Sequence, residues 1–97
     1  MYKSFRDMSV WQKAINLSEK VFRLTVTLPK SEDYGFKDQV TRSGLSIPSN
    51  ISEGYERYSK KEKHQFYSIA KGSAGELRTQ CIIGKKISYI SEEIANK

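Results

Sequence analysis

The side chains able to do chemistry are few: one histidine, His64, one cysteine, Cys81, and a knot of cations formed by Arg57, Lys60, Lys61 and Lys63. General acid–base or nucleophilic catalysis requires titratable groups that converge within hydrogen-bond reach. His64 and Cys81 fall on one predicted helix about five turns apart, so they cannot meet within it. His64, next to Lys63 and close to Glu62, reads as a solvated surface residue. A single cysteine forms no internal disulfide, and without a neighbouring cysteine or histidine it lacks metal-ligand spacing. It reads as a small core residue. The expectation is a protein that is not an enzyme and uses no metal or cofactor. The cations are more informative. Lys60, Lys61 and Lys63 stand in the opening turn of a predicted helix, where the helix dipole disfavours positive charge by a few tenths to about 1 kcal/mol each. Free backbone N–H groups and clustered lysines together suit phosphate. Lysines that merely keep the surface soluble are an equally good reading. Tyr55, Tyr58 and Tyr67 lie close by and could stack on bases, but Tyr55 and Tyr58 fall on a core face and read as packing.

Three amphipathic segments must position these residues. Between positions 8 and 28, Trp11, Ala14, Ile15, Ser18, Val21, Phe22, Thr25 and Leu28 recur at three- and four-residue steps, the pattern of one buried helical face. Asp7 or Ser9 is the expected N-cap, with Gln12 completing a box after Ser9, and Pro29 forbids continuation. Ser31 followed by Glu32 and Asp33 reads as the cap and acidic first turn of a second helix. That helix places Phe36, Val40, Gly44, Ile47, Ile51, Gly54, Tyr55 and Tyr58 on one side and Arg42, Ser46, Ser49, Asn50, Glu53 and Arg57 on the other. Pro48 removes one backbone hydrogen bond without ending it. Ser59 and Glu62 form a capping box that opens a third helix at Lys60, with Phe66, Ile69, Ala70, Ser73, Leu77, Cys81 and Gly84 inward and the pattern running to Ile87. Gly72 and Gly75 inside it suggest that another helix approaches closely. Ser91, Glu92 and Glu93 resemble the start of a fourth helix, too short to match the first three. The expected fold is all-α, a single antiparallel up-and-down bundle over residues 1–97, of the four-helix type with a truncated fourth helix.

The run from Arg42 through Gly54, which includes Ser46, Pro48, Asn50 and Glu53, resembles the signature of the 23S rRNA intervening-sequence proteins, also called the S23 ribosomal protein family. Three further segments fall in the expected order: Phe5 to Ala14, Tyr34-Gly35-Phe36 before Gln39, and Ala70 to Leu77. The chain departs from the family pattern at Ser43, Gly44 and Ser52, where small apolar residues are usual, at Ser88 before Tyr89, and in its short C-terminus. The resemblance implies a bundle that assembles as a homopentamer, encoded in some members within insertions of 23S ribosomal RNA genes. It also implies kinship with accessory proteins of diversity-generating retroelements, which are pentamers, bind nucleic acid and partner a reverse transcriptase. On that footing Arg42, Ser46, Pro48, Asn50, Glu53 and Gly54 are candidates for an intersubunit surface, with Arg42 and Glu53 pairing with other helices rather than with each other. The bland alternative is a solvated face.

Composition sets the outer bounds. Seventeen Lys and Arg against eleven Asp and Glu give a net charge of +6, which draws anionic partners by long-range attraction. The longest apolar run, Cys81 to Ile83, is far below the roughly 20 residues of a spanning helix, and the first residues lack the apolar stretch of a secretory signal. A cytoplasmic location, no membrane partner, and either RNA/DNA binding or a protein-interaction scaffold are the expectations.

Overall fold

The computed structural model describes residues 4–28, 30 and 35–87, and among them it is helical with no strand. A 3-10 turn, Phe5–Asp7, leads into α1 (Ser9–Thr25), α2 (Phe36–Glu56) and α3 (Lys60–Lys86). Helix α2 is the central element. It packs against α1 on one side and α3 on the other, while α1 and α3 do not meet. The core is Ala14 and Val21 from α1, Val40, Ile47 and Ile51 from α2, and Ala70 and Leu77 from α3. Each fully buried aliphatic among them contributes about 1.5–3 kcal/mol by leaving water.

Helix boundaries follow local chemistry, in places not the chemistry expected. The third helix opens as its sequence requires, with Ser59 Oγ accepting from the Glu62 N–H at 3.1 Å. The first helix does not. Ser9 is already helical and the cap position belongs to Met8, extended at φ −71° and ψ 125°, with no side-chain cap. Gln12 instead donates to the Arg6 carbonyl at 2.9 Å, and Ser4 caps the preceding 3-10 turn. Phe5 lies edge-on to both Trp11 and Tyr55, which ties this turn over the end of α2. The helix also ends at Thr25, short of Leu28; Pro29 lies outside the described residues. Helix α2 begins at Phe36 behind Gly35, which offers no side-chain cap. The proposed cap at Ser31 and the fourth helix after Ser91 both lie outside the described residues.

Four expectations about burial need correcting. Tyr58 is fully exposed, because Arg57 leaves helical geometry at φ −79° and ψ 150° and takes Tyr58 out of register with the core face. Ile15, Phe22 and Ile69, read as inward, are exposed in the single chain. The reason is geometric: among the described residues α2 is the one long helix that α1 and α3 pack on, and their apolar stripes are wider than the surface it covers. Nothing lies within 4 Å of a Cβ placed at Gly72 or Gly75, so no described helix makes the close approach these glycines suggested. On α2, Ser46 and Asn50, expected on the polar outer side, are both half-buried, Ser46 in contact with Ser73 of α3.

Candidate nucleic-acid and subunit surfaces

The cation knot at the junction of α2 and α3 divides in two. Lys63 Nζ donates to the Tyr55 carbonyl at 2.7 Å and to the Gly54 carbonyl at 3.3 Å, and sits 5.5 Å from the centre of the Tyr55 ring. These carbonyls belong to the last turn of α2, where the regular i+4 donors run out, Gly54 O taking only the Arg57 N–H at 3.3 Å, and where the dipole favours a cation. A lysine that looked misplaced at the start of α3 is therefore well placed at the end of α2. Arg57 is engaged too: its guanidinium pairs with Glu53 at 2.8 Å and its Cζ lies 4.6 Å over the Phe66 ring. Lys60 and Lys61 are exposed, and among the described residues neither forms an ion pair. Of the four candidates, these two face solvent as free charges. Replacing Lys63 by Gln should cost about 1 kcal/mol, less than the roughly 1.5–3 kcal/mol of a charged hydrogen bond because this helix end is only half-buried, read as a lower midpoint in urea unfolding.

The signature segment is anchored to both neighbouring helices. Pro48 has no N–H, so the carbonyl four residues earlier, that of Gly44, is left without its helical donor. Ser18 of α1 supplies one: its hydroxyl donates to Gly44 O at 2.6 Å. Val21 of α1 packs over Gly44, 3.5 Å from where a Cβ would stand, which is ordinary contact. On the opposite side of α2 a polar seam joins α3. Asn50 Nδ2 donates to the Ser46 carbonyl at 2.8 Å and to Ser46 Oγ at 2.9 Å, Ser73 donates to Ser46 Oγ at 2.7 Å, and buried Ser43 donates to Glu76 at 3.1 Å. Gly54 lies directly under the Tyr67 ring. Arg42 and Glu53 do not meet each other; each pairs one turn away on its own helix, with Asp38 at 3.1 Å and with Arg57. Both pairs are largely exposed and so contribute little, which leaves them open to exchange partners.

Sequence reasoning missed Ser18, Ser43 and Ser73 as partners of this segment. One signal was available. A proline inside a helix frees a known carbonyl, and Ser18 is one of two polar residues, with Thr25, on the buried face of α1.

A model of one protein family, described as 23S rRNA-intervening sequence protein, matches residues 6–97. The chain belongs to that family. No curated protein matches it. Within the signature, Gly44, Pro48 and Gly54 set backbone geometry, Ser43 and Ser46 join α2 to α3, and Asn50 holds Ser46 in place.

His64 is exposed and its Nε2 lies 3.5 Å from Ser68 Oγ. Burial pushes the Cys81 thiol up, away from thiolate character, and burial followed by the charge of Tyr55 pushes the Tyr67 hydroxyl up. Among the described residues no three His, Cys, Asp or Glu side chains gather as a metal site, and no helix is long and apolar enough to cross a membrane. Between α1 and α3, over α2, an open groove of about 300 Å³ is floored by Ile47 and Ile51 and walled by Val10, Tyr67 and Ala74, with Lys71 at its edge.

Proposed function

We propose that this protein is a non-catalytic, cytoplasmic homo-oligomer that binds RNA or DNA through phosphate contacts. The observation that carries the reading is the state of Lys60 and Lys61: exposed, without an ion pair among the described residues, beside the first N–H groups of α3. A net charge of +6 on a family associated by name with ribosomal RNA insertions points the same way. Assembly, with a pentamer as the form the family resemblance suggests, is supported by the apolar side chains left outside: Phe22 is 62% exposed, Val26 75% and Leu45 53%. On a lone chain of this size they are a liability, and a neighbouring subunit would cover them. Several copies of a weak phosphate site on one polyanion would gain affinity through effective concentration.

Binding of labelled RNA titrated over a range of salt tests the reading. Log affinity is expected to fall linearly with log salt, as counterions are released. Lys60→Gln with Lys61→Gln should lower that slope by roughly one for each phosphate no longer held, leaving helix content unchanged. Light scattering at micromolar concentration should show a species larger than the chain. Absence of RNA and DNA binding at low salt would replace this reading with that of a protein-interaction scaffold, possible partners including a reverse transcriptase.

A further inference from the structure

The charges of α3 are sorted by face. Lys71, Arg78 and Lys85 recur every seven residues, so they stack about 10 Å apart along one edge of the helix, and Lys60 stands on the same line about 16 Å before Lys71. His64 lies close to this line. The acids of α3 are Glu62 and Glu76, and both project roughly 140–200° away from it. Contacts fix which edge is which: Lys71 borders the open groove toward α1, whereas Glu76 accepts from Ser43 at the other seam. Across the groove α1 repeats the spacing, with Lys13 one turn after the wall residue Val10 and Lys20 seven residues further on, and its acid Glu19 paired with Arg23 at 2.8 Å. All of these lysines and Arg78 are exposed. Lys71 lines the groove itself, and the helical repeat carries the α3 row past it in both directions, with no acid of α3 on the same edge.

We infer that nucleic acid lies along this edge of α3, its phosphates contacting Lys60, Lys71 and Arg78, with Lys13 facing it from across the groove. The inference rests on the nucleic-acid reading and deepens it by moving the contact surface. The α2–α3 junction is only one end of the site, since Lys63 and Arg57 are held by α2 and Phe66. A row spanning about 27 Å from Lys60 to Arg78 engages several phosphates at once, which a two-lysine turn does not. Acids on the row would repel the same ligand, and their confinement to the opposite seam keeps the field along this edge uniformly positive.

The test is fluorescence anisotropy with a 20-nucleotide single-stranded RNA and a duplex of the same length, on the full chain across a salt series. Lys71→Gln with Arg78→Gln should weaken binding at least tenfold at low salt and lower the log–log salt slope by about 1.5–2. Arg6→Gln with Arg23→Gln removes the same formal charge elsewhere and should change neither by more than a fraction of that. The charge-keeping pair Lys71→Arg and Arg78→Lys should bind as the parent, and circular dichroism should show equal helix content throughout. A parent that binds RNA while the Lys71/Arg78 variant matches it, or while both glutamine pairs lose equally, overturns this inference and leaves the general reading standing. A parent that binds neither probe overturns both. Displacement of bound RNA by an acidic amphipathic peptide helix, at lower concentration than unlabelled RNA needs, would assign the groove to a protein partner and also overturn it.

Discussion

Gly54→Val should lower the thermal midpoint of this protein by about 10 °C or more, while Gly44→Ala should leave it unchanged or raise it. Both glycines lie inside α2 and both are buried, so helix propensity alone would make either substitution favourable or near neutral. Their surroundings differ. A Cβ at Gly54 would stand 2.6 Å from Tyr67 Cε1, 2.9 Å from its Cδ1 and 3.2 Å from Phe66 Cβ. The Tyr67 ring would have to leave its place over α2, and Phe66 Cβ is fixed to the α3 backbone. Overpacking of this kind typically costs about 1–3 kcal/mol, and a valine adds two methyl groups beyond the first clash. For a domain of this length each kcal/mol moves the midpoint by about 4–8 °C. At Gly44 the nearest atoms would be those of Val21 at 3.5–3.7 Å, which is ordinary contact. In a Tyr67→Ala background the effect of Gly54→Val should shrink, because the ring it strikes is gone. Equal effects in both backgrounds would show that the Gly54–Tyr67 approach is not what limits the site.

Ser18→Ala should destabilise the protein by about 1–3 kcal/mol, and most of that loss should vanish when Pro48 is also replaced by alanine. The carbonyl of Gly44 is buried, has lost its helical donor to Pro48, and receives the Ser18 hydroxyl at 2.6 Å. Removing the hydroxyl strands a buried acceptor, whose cost is the unrecovered desolvation of that group. Alanine at position 48 restores an N–H one turn from Gly44 O, so the helix then satisfies the carbonyl by itself. A double-mutant cycle measured by urea unfolding should therefore give a coupling of about 1 kcal/mol or more between residues that belong to different helices. Additive effects would mean that Gly44 O finds another partner when Ser18 is replaced.

Much of the fold was legible because it follows from periodicity. The three amphipathic stripes placed Ala14, Val21, Val40, Ile47, Ile51, Ala70 and Leu77 inward, and all seven form the core. The Ser59 and Glu62 box marked the start of α3 to the residue, since a cap is a local interaction between four consecutive positions. The start of α1 was misread for the same reason in reverse: Ser9 and Gln12 carry a capping pattern, but Phe5 packs on Trp11 and Tyr55 and draws the chain into a turn that makes Met8 the cap. Tyr58 illustrates a related limit. Its register with the core face held only while the helix continued, and the helix stops at Glu56.

The candidate site was less legible, because its meaning depends on distances that no local pattern encodes. Residue types alone determined that the chain is basic, that it is helical, that Pro48 frees the carbonyl of Gly44, and that cations cluster near position 60. Only the tertiary structure decided which partner each of these receives. Lys63 opposes the dipole of the helix it stands on, yet the antiparallel turn brings the carbonyl end of α2 against it and reverses the sign of the interaction. Ser18 and Gly44 are far apart in the chain and meet because α1 and α2 run side by side. Periodicity dictates which face of a helix turns inward, but the neighbour lying across that face is set by topology, and with it whether a charge is a structural cap or a free contact for phosphate.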